Sequence, residues 1–514
     1  MRIGVDVGGT NTDAVLMDGR TVLASHKAPT SANVSDGIIG AITHVLEASA
    51  VSAGSIDSVM VGTTHFTNAF VERKFLLEVA VIRLALPASR GLPPMIDWPE
   101  DIAAGIGKHH YLVKGGYEFD GRHISDLDEE AVEKAARDIK AKGLKAVAIS
   151  CVYSPLNGEM EERAGEIVKN IIPDVEITLS SRIGRIGLLE RENAAIMNAS
   201  LADLSSKVVN SFRTALKELN ISAPFFISQN DGTLMSADFV EKHPVLTFAS
   251  GPTNSMRGAA YLSGLKNALV VDIGGTTTDV GMLINGFPRE SSVSVDIGGV
   301  RTNFRMPDIL ALGLGGGSLV RINGTVSVGP QSVGYQLTEK ARVFGGDTLT
   351  ASDIAVAAGY ADMGQAANVA DLDGDLVKQA VSAINDIVNV GVDRMKTSAE
   401  PMPVILVGGG SVLIRDEIPG TSEVIVPEHA AVANAIGASI AQVGGEVDKV
   451  FSYDNGGRDA VIAGAKQEAI DKAIAAGANA DAIEIIDFEE LPLQYVPGNS
   501  VRLRAKAAGE LVIE

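Results

Sequence analysis

A chain of 514 residues, 46% of them hydrophobic, is too long for one hydrophobic core and too apolar to be disordered, so we expect at least two folded domains. The formal charge of −21 argues against nucleic acid or an anionic membrane surface as a partner. The single cysteine excludes an intrachain disulfide, and the lack of an 18-residue apolar run or a signal-like leader predicts a cytoplasmic protein without a membrane span.

Short apolar runs alternate with helical patterns along the chain, starting with a strand at 1–6. Four further runs have the length and composition of buried strands: 79–82, 146–149, 268–271 and 404–407. A helix is predicted over 127–142, with Asp126 and Glu129 as a capping-box-like start. Strands that alternate with helices predict an α/β architecture.

One long motif occurs twice in the chain. Residues 3–15 read IGVDVGGTNTDAV, and residues 269–281 read LVVDIGGTTTDVG. A repeat of this length indicates two related lobes, each of which begins with a β-hairpin. We therefore predict a first lobe over 1–185, a second lobe over 186–445 and a small accessory α/β segment over 446–514.

Each copy of the motif has the chemistry of a phosphate-binding turn. Paired glycines allow a sharp turn that brings backbone N–H groups against phosphate oxygens, and the polar side chains that follow add donors. The predicted ATP-binding residues are Gly8, Gly9, Thr10 and Asn11 in the first copy and Gly274, Gly275, Thr276 and Thr277 in the second. One copy alone is also compatible with an ordinary glycine hairpin, but two copies in matching strand context favour a shared nucleotide site.

The aspartates of the two motifs are candidate catalytic residues. Asp6 and Asp272 stand at strand ends, where a carboxylate can hold the hydrated Mg²⁺ that accompanies ATP. Asp13 and Asp279 follow on the second arm of each hairpin, where they either stabilise the hairpin or position water. The motifs thus predict a metal-binding pair, Asp6 and Asp272, with Asp279 nearby.

Two later glycine runs complete the candidate nucleotide site. The first comprises Gly408, Gly409 and Gly410 after an apolar strand. There the backbone can approach adenosine closely, although a plain strand-to-helix turn has the same sequence. The second run, 313–318, contains Gly316 and Gly317, which we include among the ATP-binding residues; a flexible loop is the alternative. No P-loop or Rossmann signature competes with this interpretation.

In the order of its motifs the chain resembles the hydantoinase A/5-oxoprolinase family. The resemblance covers about residues 1–440 and rests on DVGGT at 6–10, GTTHFTNAFVERK at 62–74, REN at 191–193, ASGP at 249–252, DIGGTTTD at 272–279, GLGGGS at 313–318 and GDTLTASD at 346–353. It implies the two-lobed actin/sugar-kinase/Hsp70-like ATPase fold with ATP and Mg²⁺. It also implies an oligomeric enzyme that opens a small cyclic amide or imide with ATP or activates a carbonyl substrate for carboxylation, usually beside a second, B-type subunit.

The chain departs from the family pattern in two motifs and in its shorter length. The family has a histidine shortly after an aspartate ahead of the triple glycine, whereas the stretch here is Pro307-Asp308-Ile309-Leu310. The usual SGPAGG run is SGPTNS at 250–255. These differences indicate a divergent branch, in which a second metal site and the identity of the ring are open.

A polar cluster after the strand pattern 58–61 is the candidate substrate site. Its members are Thr63, Thr64, His65 and Asn68. They open a predicted helix, and a helix N-terminus favours anions and polarised oxygens. His65 is also a candidate acid or base near neutral pH. The alternative is a histidine that caps the helix and bonds its backbone.

Three activities follow from the residues and the resemblance. The first is ATP-dependent hydrolysis of a cyclic amide, in which phosphorylation of the carbonyl oxygen makes an activated imidate that water attacks. The second is a small-molecule kinase, because Asp-x-Gly-Gly-Thr-Asn also opens sugar kinases, although the sequence offers no convincing carboxylate base. The third is an ATPase subunit whose partner carries out the chemistry.

Overall fold

The computed structural model describes residues 1–8, 11–29, 34–291, 294–440, 442–454, 456–494 and 499–512. Within them the strands are β1 Arg2–Val7, β2 Asn11–Asp18, β3 Thr21–Pro29, β4 Ser58–Thr63, β5 Val79–Leu86, β6 His109–Lys114, β7 Ala146–Cys151, β8 Glu176–Leu179, β9 Phe225–Ser228, β10 Leu234–Ser236, β11 Ala268–Ile273, β12 Thr278–Ile284, β13 Phe287–Pro288, β14 Val295–Ile297, β15 Val300–Thr302, β16 Ile309–Leu312, β17 Ser318–Asn323, β18 Thr325–Ser332, β19 Met402–Val407, β20 Thr421–Ile425, β21 Gln442–Ser452, β22 Ala478–Pro492 and β23 Ser500–Leu511.

The helices are α1 Val34–Ser49, α2 His65–Val71, α3 Glu100–Ile106, α4 Glu129–Lys142, α5 Glu159–Ile171, α6 Leu188–Ser200, α7 Ala202–Glu218, α8 Ala237–Lys242, α9 Ser250–Ser263, α10 Leu337–Lys340, α11 Ala351–Ala357, α12 Gly374–Met395, α13 Ala433–Ala438 and α14 Arg458–Ala475. Among these described helices, none combines the length and apolar character needed to cross a bilayer.

Two mixed sheets form the centres of two lobes. The first sheet has the strand order β10-β9-β4-β1-β2-β3, and the second has the order β13-β12-β11-β19-β20, with β16 paired to β12. In each sheet an antiparallel hairpin, β1-β2 or β11-β12, lies beside a strand parallel to its first arm, β4 or β19. The lobes share one plan, which confirms the predicted two-lobed, actin-like α/β fold.

The central strands are apolar because both faces of the sheets are covered. Val5 of β1 and Val271 of β11 are fully buried, as is the whole of β4. The strands predicted at 79–82 and 146–149 are β5 and β7, which lie side by side in a third, parallel sheet with the order β6-β5-β7-β8. Aliphatic runs of this length are accurate indicators of strands that are buried on both faces.

Helix α4 starts two residues later than the capping pattern predicts. It begins at Glu129, and the carboxylate of Asp128 accepts a hydrogen bond from the backbone N–H of Ala131 (3.0 Å). Asp126 lies outside the helix and pairs with His123. Asp126 is therefore not the cap, because Asp128 is the acidic residue whose side chain reaches the free N–H groups of the first turn.

After residue 185 the chain stays in the first lobe as far as Phe248 and comes back to it later. Strands β9 and β10, within residues 225–236, complete the first sheet. The β14-β15 hairpin then packs on α6 and places Ile297, Val300 and Phe304 in the core around β1 and β4. The lobe boundary at 185 stays a prediction, and these crossings join the two lobes through more than one segment.

The C-terminal residues form a small sheet with one helix. Its strand order is β21-β23-β22, all antiparallel, and α14 packs against it. Strand β21 begins at Gln442, so the predicted division at 445 lies within a strand. That division also stays a prediction.

Candidate active site

The two copies of the repeated motif have the same register in their hairpins. Asp6 pairs with Asp13 across β1 and β2, and Asp272 pairs with Asp279 across β11 and β12. Because paired residues of a ladder stand side by side, each hairpin carries two neighbouring aspartates at its end. The four candidate aspartates therefore form two equivalent pairs, one in each lobe.

The turns that follow also match. The N–H of Gly8 donates to the carbonyl of Asn11 (3.0 Å), and the N–H of Gly274 donates to the carbonyl of Thr277 (2.9 Å). Gly9 and Thr10 lie outside the described residues, so their ATP-binding roles stay predictions. In the second lobe Thr276 and Thr277 are exposed at the tip of the turn, where their side chains are accessible to a ligand.

A glycine lies against the first aspartate of each pair. Gly62 is the parallel partner of Asp6, and a Cβ there would lie 2.1 Å from the Asp6 Oδ1. Gly408 directly follows the partner of Asp272, has φ +85°, and a Cβ there would lie 2.3 Å from the Asp272 Oδ1. Both positions need glycine because any side chain would displace the carboxylate.

A cavity of about 370 Å³ lies between the two hairpins. Its walls include the following predicted nucleotide-site residues: Gly8, Asn11, Asp272, Gly274, Gly275, Thr276, Thr277, Gly316, Gly408, Gly409 and Gly410. Leu337, Met363, Val412 and Leu413 add apolar surface. One cavity thus brings together backbone turns from both lobes and an apolar patch of the kind that accepts a nucleobase.

The loop around Gly316 supports the second phosphate turn. The N–H groups of Gly316 and Gly317 donate to the carbonyls of Gly274 (3.0 Å) and Gly275 (2.8 Å). A Cβ at Gly315 would lie 2.6 Å from the carbonyl carbon of Gly275. Since these amides are already bonded within the protein, we place Gly316 and Gly317 behind the turn as its support. Gly316 also faces the cavity.

Asp6 is buried and held by two asparagines. Its Oδ1 accepts a hydrogen bond from Asn254 Nδ2 (3.1 Å), and its Oδ2 accepts one from Asn434 Nδ2 (3.0 Å). Burial nevertheless raises the pKa of Asp6 to about 6, and the nearby carboxylates of Asp13 and Asp272 add to the increase. The carboxyl is short of positive charge.

Asp13 shares the asparagine of Asp6 and has the nearest cation. Its Oδ2 accepts hydrogen bonds from Asn434 Nδ2 (2.7 Å) and from Lys27 Nζ (2.9 Å). Its buried Oδ1 has no hydrogen-bond partner among the described residues. A buried carboxylate oxygen without a hydrogen-bond partner lowers the stability of the fold. The Asp13 Oδ1 can therefore accept a hydrogen bond from a ligand or from the water that surrounds a ligand.

The aspartates of the second lobe also have raised pKa values. Burial raises the pKa of Asp272, against the opposing effects of Ser255 and of Lys27 from the first lobe. Burial and the Asp272 charge raise the pKa of Asp279 to about 7. That Lys27 and Asp13 act on Asp272 indicates how closely the two hairpins approach each other.

The residues that line this cavity, together with Asp6 beside them, fit Mg²⁺ and a nucleotide. Phosphates need backbone N–H groups and hydroxyls, which the turns carry, and the electron-rich carboxylates of Asp6 and Asp272 need a cation. Among the described residues no three His, Cys, Asp or Glu side chains are arranged to hold a bare ion. A magnesium ion held by Asp6 and Asp272 would therefore keep most of its water shell, as Mg²⁺ commonly does.

A second metal site at Asp308 does not fit. The Asp308 carboxylate accepts hydrogen bonds from the Arg289 guanidinium (2.6 and 3.1 Å) and is part-exposed. The neighbouring residues, Ile309 and Leu310, have no metal-binding groups. The arginine occupies the place of a cation beside this aspartate.

The predicted substrate cluster lies in the first lobe at the position that Gly408 to Gly410 hold in the second. It begins at the last residue of β4 and continues into α2, and those glycines directly follow β19. His65 Nδ1 lies 2.7 Å from Thr63 Oγ1, and Asn68 Nδ2 donates to Thr64 Oγ1 (3.4 Å). Burial lowers the pKa of His65, which favours the neutral ring. The hydroxyl of Thr63 that the ring contacts also accepts a hydrogen bond from the His65 backbone N–H (3.3 Å). The acid–base role of His65 and the capping alternative both stay predictions.

Four residues that contact the aspartates stand outside the predicted site: Lys27, Asn254, Ser255 and Asn434. Asn254 and Ser255 stand in the SGPTNS motif, where the departure from SGPAGG was the available signal. Lys27 and Asn434 belong to no motif. They reach the site because β3 is paired with β2 and because α13 packs on β1.

Comparison with known proteins covers most of the chain. Residues 2–172 match the family model described as hydantoinase/oxoprolinase N-terminal region, and residues 191–407 match the one described as hydantoinase/oxoprolinase. The two matched regions contain both hairpins, the substrate cluster and the strand that leads to Gly408.

Individual relatives are distant in sequence. The chain is 26% identical to the caprolactamase subunit alpha of Pseudomonas jessenii, over 86% of this chain and 70% of that one. It is 25% identical to the acetone carboxylase beta subunit of Xanthobacter autotrophicus, over 70% of this chain and 54% of that one. The crystal structure of the ATP-dependent caprolactamase from Pseudomonas jessenii has the same fold, with a TM-score of 0.80 at 20% identity over 99% of this chain and 87% of that one.

The chain spans only part of several of these relatives. The match covers 62% of the length of an uncharacterised protein of Methanocaldococcus jannaschii. It covers 53% of the acetophenone carboxylase gamma subunit of Aromatoleum aromaticum and 54% of the acetone carboxylase subunit.

Proposed function

Because this chain belongs to the hydantoinase/oxoprolinase family, we propose that it is an ATP-dependent hydrolase that opens a cyclic amide or imide, such as a hydantoin or an oxoproline-like lactam. The observation that carries the proposal is the cavity between the twin hairpins, with a polar cluster at the equivalent strand end of the first lobe. ATP would occupy the cavity, and the ring would bind beside Thr63, Thr64, His65 and Asn68.

The nucleotide side of the proposal follows from the cavity walls. The turns at Gly8 and Gly274 would cradle the phosphates, and Gly408 to Gly410 would border adenosine beside the apolar wall. Asp6 and Asp272 would hold Mg²⁺, which supplies charge neutralisation to the phosphates when bound. Asp279 lies next to Asp272 in the hairpin and is suited to orient water.

The substrate side follows from the chemistry of the ring. A lactam carbonyl is a poor electrophile, and transfer of the γ-phosphoryl group from ATP to its oxygen gives a phosphorylated imidate and ADP. Water then adds to the carbon, the C–N bond breaks with a proton to the leaving nitrogen, and a second water releases phosphate from the acyl group. A neutral His65 can accept the proton of the attacking water.

The test is release of phosphate and of ring-opened product from ATP with hydantoin, 5-oxoproline and caprolactam in separate assays. We expect at least one ring to stimulate phosphate release and to be opened in equal amount. Asp272→Asn should abolish both signals because it removes half of the proposed metal pair. A phosphorylated product without free phosphate would indicate a kinase, and parent protein that binds no ATP would refute the proposal.

A second candidate is an ATPase subunit that activates the substrate for a separate catalytic partner. It is supported by the relatives that are named as subunits, the caprolactamase alpha and acetone carboxylase beta chains. The test is the same assay with the chain alone and with a co-purifying second subunit. Ring opening that needs the second protein would favour this candidate, and full activity of the chain alone would exclude it.

A further inference from the structure

We infer that Asn254 and Asn434 are positioning residues that hold the carboxylate of Asp6, together with that of Asp13, in one orientation at the nucleotide site. The inference rests on the proposed function, because it assigns these side chains a role toward the metal–nucleotide complex. The sequence motifs assign no function to either asparagine.

The two asparagines lie on different helices, and each binds one oxygen of the Asp6 carboxylate. Asn254, on α9, donates to the Asp6 Oδ1, and Asn434, on α13, donates to the Asp6 Oδ2. The Asn434 Nδ2 also donates its second hydrogen to the Asp13 Oδ2, with 2.7 Å between nitrogen and oxygen. With both oxygens bonded, rotation of the Asp6 carboxylate would break at least one of these contacts.

The orientation of Asn434 is determined by its surroundings. Ionised carboxylates only accept hydrogen bonds, so the nitrogen of the amide must face Asp6 and Asp13. The Asn434 Oδ1 accepts a hydrogen bond from the N–H of Ala435 (2.9 Å). The amide thus separates two acidic side chains that would otherwise repel each other.

The helices that carry the asparagines are in direct backbone contact. A Cβ at Gly258 of α9 would lie 1.9 Å from the Ala433 carbonyl oxygen, and one at Gly437 of α13 would lie 1.8 Å from the Asn254 carbonyl oxygen. Helices this close cannot slide without a clash. Asn254 and Asn434 are therefore fixed relative to each other by the backbone itself.

Helix α9 also contacts the second lobe at the site. Ser255, the residue after Asn254, lies beside Asp272 in the cavity wall and lowers its pKa. Neighbouring residues of one helix thus contact the proposed metal-holding aspartates of both lobes. Helix α9 is therefore placed to fix the position of the Asp6 carboxylate relative to that of Asp272.

The experiment measures binding of Mn²⁺ together with a non-hydrolysable ATP analogue by electron paramagnetic resonance, so it needs neither turnover nor a ring. The variants are Asn254→Ala, Asn434→Ala and the neutral, nearly isosteric Asn434→Leu, which adds no charge at the site. We expect each to weaken Mn²⁺ binding by about 10- to 100-fold, the usual effect of removing a group that orients a metal ligand. Circular dichroism and Tm without ligand show whether each variant is folded.

Asn385→Ala is the matched control, because Asn385 also donates to an aspartate, Asp416 (2.6 Å), but on the exposed surface. It should bind Mn²⁺ as the parent does. Parent-like Mn²⁺ affinity in folded Asn254→Ala and Asn434→Leu would overturn the positioning role and leave the proposed function intact. A parent protein that binds no Mn²⁺–nucleotide would overturn the nucleotide site and the positioning role together, whereas binding without any ring opening would count only against the hydrolase.

Discussion

Close contacts at single residues determine the geometry of the aspartates. Asp6 has a glycine against one side, an asparagine on each oxygen and Asp13 beside it. Asp272 likewise has Gly408 in contact with its carboxylate. The Asp6 carboxylate is enclosed, so its position is set by packing as well as by hydrogen bonds. Asp272 has Gly408 on one side and the cavity on another.

We predict that Gly62→Ala will weaken nucleotide binding by about 10-fold or more, because the new methyl group must displace the Asp6 carboxylate or the Asn254 amide. The measurement is calorimetric titration with Mg²⁺-ATP. The control is Gly40→Ala in α1, where a Cβ would meet nothing within 4 Å. That change should raise the free energy of unfolding by about 0.5–1 kcal/mol and leave binding unchanged.

A pH-dependent stability is predicted from Asp279, whose pKa is raised to about 7 in the folded protein. Between its ordinary value near 3.8 and about 7, the folded state binds more protons than the unfolded state, so the free energy of unfolding falls as pH rises. Asp279→Asn removes this contribution. At pH 8 it should be more stable than the parent by roughly 1–2 kcal/mol, allowing for partial solvation.

The check is Tm for parent and Asp279→Asn from pH 3 to pH 8. The difference between the two proteins should grow with rising pH and should be small at the acidic end. A constant difference over this range would show that Asp279 ionises normally in the folded chain.

At the scale of elements, helix α6 is attached to the parallel sheet by a buried ion pair. The guanidinium of Arg83, on β5, contacts both carboxylate oxygens of Glu192 (2.7 and 2.5 Å), and Ser150, on β7, donates to one of them (2.6 Å). Arg83 and Glu192 are almost completely buried. The helix that connects the sheets therefore has a defined position on β5 and β7.

We predict that Glu192→Ala lowers the free energy of unfolding by about 3–5 kcal/mol, because it leaves the Arg83 charge buried without its partner. Urea unfolding followed by circular dichroism measures the change. Glu133→Ala, which removes an exposed pair with Arg137, should cost less than about 0.5 kcal/mol. Equal effects of the two substitutions would contradict the importance of burial.

At the scale of the whole molecule, a buried network of charges joins three parts of the chain. Arg305 contacts Asp231 (2.9 Å) and Glu446 (2.5 Å), and Lys506 contacts Asp231 (3.1 Å) and Glu290 (3.0 Å). Asp231 follows β9 of the first sheet, Glu290 follows β13 of the second, and the others include residues of β21 and β23. The C-terminal sheet is thus bound to both lobes.

Acid should weaken this attachment. Burial alone would raise the pKa of Glu290, but Lys506, Arg504 and two further arginines hold it at about 2. Its contribution to stability is complete above its unfolded pKa near 4.5 and is lost as pH falls toward 2. Glu290→Gln should lower the free energy of unfolding by about 3–5 kcal/mol at pH 7, and this difference should shrink below pH 4.5.

The measurement is chemical unfolding of parent and Glu290→Gln between pH 3 and pH 7. Glu484→Gln, on the exposed face of β22, is the control and should behave as the parent does. A difference that does not change with pH would mean that the carboxylate charge of Glu290 has no part in the attachment.

The sequence by itself determined the repeated hairpins, the strands that follow them and the two-lobed fold, because local glycine, hydroxyl and aliphatic patterns specify turns and buried strands directly. The cap of α4 was wrong by two residues, since three acidic residues near its start, Asp126, Asp128 and Glu129, satisfy a local pattern and only the folded geometry selects between them. Only the tertiary structure decided that Lys27, Asn254 and Asn434 meet at the aspartates. Those contacts join residues up to 428 positions apart, and no local pattern records which side chains long-range packing brings together.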